Sequence, residues 1–180
     1  MKIILLILLF GCNNQSSNYI KSYKIPKASS TQTKISQNEH SHLPFSWEVP
    51  NNWISNIKSS MRAASYSISS SKGNADLSVI YLDGNGGGNV ANVNRWRKQL
   101  DLSDISEKEI ESNSQNFNSD IGPYKIYKII NKNNKESGFL CSIIPANSFT
   151  IFIKLNTHVD VIDELEEQFI DFSSSFKYNE

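Results

Sequence analysis

Cysteine and histidine are scarce in this 180-residue chain, at two and three residues. Cys12 and Cys141 allow at most one internal disulfide, so a disulfide-built scaffold is excluded. His40 and His42 are near neighbours, but a metal site there needs more ligands, and His158 stands far away in sequence. Neither a metal nor a cofactor is expected. No His-Glu-x-x-His, no cysteine pair, no Gly-Lys-Ser/Thr phosphate loop and no Ser-His-Asp order with elbow geometry occurs. The longest leading apolar run, Ile3 to Phe10, is less than half of the ~20 residues a membrane-spanning helix requires. An excess of one charge is also missing, since 18 Lys and Arg meet 18 Asp and Glu.

Those charges are unevenly placed. Residues 13–43 carry four Lys against Glu39, a formal +3, and 16 of their 31 positions are Ser, Thr, Asn or Gln. Such a stretch has little to bury and reads as a disordered linker. Its reach as a flexible chain is about 30 Å. Residues 44–180 carry 13 Lys or Arg against 17 Asp or Glu, a formal −4. An acidic body argues against nucleic acid, whose phosphates demand clustered cations. The organisation expected is a leader over residues 1–11, Cys12 with a polar linker to residue 43, and one domain over residues 44–180.

Within that domain the pattern alternates between periods of two and of 3.6 residues. Phe45 to Val49, Met61 to Ser69 and Ala75 to Asp83 are strand-like, and Lys72-Gly73-Asn74 punctuates a hairpin. A glycine-rich segment, Gly84 to Gly88, then precedes a helical stripe of Val90, Val93, Arg97 and Leu100, with Trp96 at its edge. Asn92, Arg95 and Gln99 point away from that stripe, and Asn89 is the expected N-cap. Ser106 to Glu109 resembles a capping box opening a second, short helix. Tyr124 to Ile130, Phe139 to Ile144 and Phe149 to Leu155 are strands apolar on both faces, which implies cover on both sides. Val161, Ile162, Leu165, Phe169, Phe172 and Phe176 share one face of a last helix, capped by Thr157 or Asp160. The fold class expected is α+β, an antiparallel β-sheet flanked by helices on both faces.

Few residues offer chemistry. The glycine run lacks the third glycine of a dinucleotide fingerprint, so it reads as a loop needing positive φ, or as a nest of amides for a partner or small anion. Arg97 lies on the apolar stripe, so its head needs a partner, and Asp101 four residues on is the nearest candidate for a structural charge pair. Arg62, Gly86, Gly87, Gly88, Asn92, Asn94 and Arg95 are the candidate contact surface for an unknown protein or small-ligand partner. Cys141 sits in an apolar run and reads as a buried, inert thiol. No catalytic residue is nominated.

Two resemblances add to this. Met1-Lys2, the apolar run and Leu9-Phe10-Gly11-Cys12 look like a bacterial lipoprotein signal ending in a lipobox. The resemblance implies cleavage after Gly11, lipidation of Cys12, and a protein exported and anchored by lipid to the cell envelope. The block Ser60 to Tyr66, Leu77-Ser78-Val79, Gly84 to Gly88 and Asn92 to Leu100 resembles small bacterial lipoproteins of unknown function, notably of planctomycete and verrucomicrobium type. The likeness runs over roughly residues 45–178. The element order is similar to the PsbP-like α/β/α sandwich, which implies a non-catalytic binding or accessory module. A hydrolase-type envelope enzyme and a homo-oligomeric structural module are the alternatives.

Overall fold

The structure, a computed structural model, describes residues 43–56, 61–133 and 136–179. Cys12, the leader and the linker up to residue 42 lie outside the described residues. The chain runs β1 (Phe45–Ser46), β2 (Ile54–Ser55), β3 (Ala64–Ser70), β4 (Gly73–Asp83), α1 (Gly88–Gln99), α2 (Glu107–Ser112), β5 (Ser114–Ser119), β6 (Gly122–Ile130), β7 (Gly138–Pro145), β8 (Phe149–Thr157), α3 (Glu166–Ser174) and β9 (Lys177–Tyr178). Seven strands form one antiparallel sheet in the order β2-β3-β4-β8-β7-β6-β5, and β1 pairs with β9 in a small second one.

Residue alternation along the central strands sorts the core into two clusters, because successive strand side chains point to opposite faces. Leu140 and Ile144 of β7 and Ile151, Ile153 and Leu155 of β8 join Phe169 and Phe172 of α3. Phe139, Cys141 and Ile143 of β7 and Phe152 of β8 join Val93 and Trp96 of α1, Ile110 of α2, and Tyr127 and Ile129 of β6. This is the physical basis of the two-faced apolar runs in the sequence. The result is a mostly antiparallel sheet with few helices, a mixed α/β fold.

Several local expectations need correction. The N-cap of α1 is Gly87 rather than Asn89, because the chain enters the helix in a left-handed turn at φ +90° that favours glycine. Asn92 faces inward, 2% exposed, while Val90 is 37% exposed, so the apolar stripe is rotated toward Asn92, Val93 and Trp96. The last helix is shorter than its periodicity. Val159–Val161 form a 3₁₀ turn, capped by His158 Nδ1, which accepts from the Asp160 amide at 3.1 Å, and α3 begins only at Glu166. All six stripe residues are still buried, so the period reported burial correctly but not helical continuity. Strand β5 was absent from the sequence reading. Its segment, Ser-Gln-Asn-Phe-Asn-Ser, is a polar edge paired only to β6, and Phe117 alone faces the core. The capping box at Ser106 is present in both directions, with Ser106 and Glu109 bonded to each other's backbone amides.

Candidate functional site

The glycine-rich segment is held shut by its own neighbours. Asn92 Nδ2 donates to the carbonyls of Gly86 and Gly88 at 3.0 and 2.7 Å, and Thr150 Oγ1 donates to that of Gly84 at 2.8 Å. The amides of Gly87 and Gly88 are donated to Asn85, one to its side chain and one to its carbonyl. An anion nest needs those amides free, so here they serve the loop itself. Gly86, at φ +56°, is also the closest approach: a Cβ there would lie 2.5 Å from the Phe152 ring. Gly86 and Asn92 thus brace the β4–α1 junction against the core.

Asn94 has a comparable task. Its amide exchanges two 3.0 Å hydrogen bonds with the backbone of Ile105. Arg95 points to solvent on the outer side of α1. Arg62 is elsewhere: its guanidinium forks onto Asp76 at 3.2–3.3 Å and reaches Ser65 at 3.2 Å. Asp76 lies eight residues before Gly84, about 25 Å back along an extended strand. The nominated residues therefore do not converge on one surface.

The Arg97–Asp101 pair is also corrected. Helix α1 ends in a Schellman closure: the Leu102 amide donates to the Arg97 carbonyl, that of Asp101 to Lys98, and Asp101 takes φ +55°. That reversal removes Asp101 from the helical i,i+4 position. Arg97 Nε instead donates to the Ser103 carbonyl at 2.8 Å. Arg97 and Asn94 together clamp the segment from Leu100 to Ile105 over the sheet.

Beneath that clamp is a cavity of about 180 Å³ between α1, α2 and β6. Val93, Arg97, Ile105, Ile110, Asn113, Tyr127, Lys128 and Ile129 line it. Lys128 is committed, its ammonium donating to Asp163 at 2.7 Å and Glu166 at 2.5 Å. Glu109, next to the site, is held by Ser106, and hydrogen bonds from that residue's side chain and backbone pull its carboxyl below the usual carboxylate range. Among the described residues, three buried hydroxyls have no hydrogen-bond partner: Tyr127, Ser142 and Ser173. Of these residues Tyr127 lines the cavity, but its hydroxyl is covered and does not open into it. Burial, and after it the charge of Glu111, pushes the Tyr127 phenol up to about 12. Cys141, fully buried, has its thiol pushed up by burial as well, which leaves it protonated and unreactive. Among the described residues, no group of three or more His, Cys, Asp or Glu side chains could hold a metal ion.

Tyr127 escaped the sequence reading because a tyrosine among isoleucines in a strand registers as core. Its only hint was that a buried phenol needs a partner for its hydroxyl.

No family model matches the chain, and no curated protein matches it either. Solved structures do. Cyanobacterial PsbP (CyanoP) from Synechocystis sp. PCC 6803 superposes with a TM-score of 0.50 at 18% identity, covering 76% of this chain and 87% of that one. The fold is PsbP-like. LpqN of Mycobacterium tuberculosis, described as involved in cell envelope biogenesis, superposes equally, TM-score 0.50 at 12% identity, over 76% and 83% of the two chains. At these identities the likeness is one of fold.

Proposed function

We propose that the chain is a lipid-anchored protein of the cell envelope whose PsbP-like domain is a non-catalytic binding or accessory module. In this reading the helices cover both faces of the sheet, α3 over one and α1 with α2 over the other, as the two buried clusters suggest. Export and lipidation at Cys12 place the domain outside the cytosol on a polar tether. The partner is a membrane at one end and a protein or small ligand at the other. The observation that carries the reading is a PsbP-like body, shared with an envelope-biogenesis protein, set behind a leader that ends in a lipobox-like Gly11-Cys12. The likeness of the Asn92–Leu100 string to small planctomycete and verrucomicrobium-type lipoproteins supports it further.

The test is metabolic labelling with a clickable fatty acid in a bacterial host. The wild-type chain takes the label and sediments with membranes. Cys12→Ser takes none and is released. A Cys12→Ser chain that stays labelled, or a wild type that keeps Met1 in the cytosol, defeats the reading.

A further inference from the structure

We infer that Asn85 is a site of spontaneous chemical modification, where the Gly86 backbone nitrogen attacks the Asn85 carboxamide and water opens the resulting imide to aspartyl and isoaspartyl products. This goes beyond the envelope reading and does not depend on it. Two adjacent dipeptides are its starting point. Asp83-Gly84 and Asn85-Gly86 are the one Asp-Gly and the one Asn-Gly pair of the chain. A glycine in second place leaves no side chain to obstruct ring closure. On sequence both pairs are candidates, and the fold separates them.

The first pair is held. The Gly84 amide donates to the Ser148 carbonyl at 2.8 Å, and the Gly84 carbonyl accepts from Thr150 Oγ1 at 2.8 Å. Attack by the Gly84 nitrogen first requires losing that hydrogen bond. The second pair is open. Asn85 is exposed, and the Gly86 amide makes no hydrogen bond among the described residues. The Asn85 side chain is turned toward the chain that follows it, since its Oδ1 accepts from the Gly87 amide at 3.0 Å. That contact keeps the carboxamide close to the peptide with which it reacts, which favours an intramolecular step. It also sets a donor on the oxygen where negative charge develops during attack.

In the reaction the Gly86 nitrogen gives its proton to hydroxide and bonds to Asn85 Cγ. The Cγ–Nδ2 bond breaks, and Nδ2 leaves as ammonia after taking a proton from water. Water then adds to one of the two imide carbonyls. Addition at Cγ restores the original main chain with an aspartyl side chain. Addition at the main-chain carbonyl routes the backbone through the side chain and lengthens it by a methylene. The net change is one water consumed and one ammonia released. Both products bring a carboxylate near the start of α1, whose first turn has no acid of its own. Only the isoaspartyl form displaces Gly86, whose carbonyl Asn92 holds and which packs closely on the Phe152 ring. That form loosens the entry to α1.

The experiment incubates the full chain carrying Cys12→Ser, folded, in mildly alkaline buffer made with heavy-oxygen water, and follows each peptide by mass spectrometry. Asn85 is expected to take up one heavy oxygen at least about tenfold faster than any other asparagine, and faster still as the pH rises. Electron-transfer fragmentation is expected to find both products. Asp83 is expected to isomerise only in guanidinium chloride, where the Gly84 amide is released. Asn85→Gln, which would have to close a larger ring, is expected to abolish uptake at that position. Separated by ion exchange, the isoaspartyl form is expected to melt about 2–4 °C below the aspartyl one. The inference is overturned if folded Asn85 stays unlabelled while the unfolded chain reacts, or if folded Asp83 isomerises as fast as Asn85 reacts. Uptake in Asn85→Gln also overturns it, and equal melting of the two forms overturns the effect on α1. None of these outcomes bears on lipid labelling at Cys12, so the two readings fall separately.

Discussion

The two buried clusters of this domain are built to different standards. The cluster against α3 is dense with rings: Trp47 stacks on Phe176 at 5.1 Å, Trp53 lies 4.8 Å from Phe172, and Tyr66 meets Phe172 edge-on at 5.8 Å. Its large polar handles are used, with Trp47 Nε1 donating to the Tyr66 hydroxyl at 3.0 Å and Tyr124 sharing a 2.8 Å bond with Ser174. Among the described residues, the cluster against α1 and α2 has one ring pair, Trp96 and Phe152 at 6.4 Å, an unpartnered phenol and a cavity beside it. The first is packed for stability. The second is less completely filled, with a cavity of about 180 Å³ in its wall.

The largest effect belongs to the dense side. Phe172→Ala removes a ring that is 2% exposed and touches three other aromatics, and is expected to cost about 3–5 kcal/mol in urea unfolding. A same-chemistry pair sharpens the contrast. Ile151→Ala in the dense cluster is expected near the top of the range of about 2–5 kcal/mol, and Ile129→Ala, which already faces the cavity, near its bottom. Equal losses would mean the second cluster is as tightly packed as the first.

Next comes the junction that braces the looser side. Gly86→Ala forces a side chain into left-handed backbone and against Phe152, for an expected loss of about 3 kcal/mol. Gly84→Ala meets open space at a similar φ and is expected to lose only about 1 kcal/mol. Thermal melts of both variants separate the steric contribution from the backbone one.

How much of this was legible in the sequence follows the same division. Runs such as Phe139 to Ile144 announced their burial because both faces are apolar, and the wheel of Val161 to Phe176 named six buried residues correctly. The hairpin at Gly73 and the capping box at Ser106 were legible because their signals are local. What failed was nonlocal. The polar edge β5 exists because β6 templates it, and nothing in Ser114 to Ser119 says so. Asn92 looked like a solvent-facing amide until the glycine carbonyls it holds were in place. The cavity needed three elements and a Schellman turn to exist, and no pattern along the chain encodes that meeting.

A smaller effect tests the clamp over the cavity. Arg97→Ala removes the hydrogen bond to Ser103 and half-buried packing, and is expected to destabilise by about 1 kcal/mol. Arg95→Ala, on the exposed side of the same helix, is expected to stay within about 0.5 kcal/mol of wild type. Identical melting temperatures for the two would remove Arg97 from the wall of the cavity.

The finest test is a pH dependence. The unfolded chain releases a tyrosine proton near pH 10, whereas folded Tyr127, raised to about 12 first by burial and then by the charge of Glu111, keeps its own. Between those values the native state binds more protons than the unfolded one, so the stability this group contributes is whole below about pH 10 and is lost as the pH climbs through about 12. Tyr66 and Tyr124 are raised as well, chiefly by burial, so the wild-type decline is a sum. Tyr127→Phe removes one share of it and discards a hydroxyl that has no partner. Urea midpoints are therefore expected to be similar for the two chains at pH 8 and to diverge in favour of the variant as the pH passes 10. Parallel curves would mean that Tyr127 reaches solvent or a partner in the folded protein.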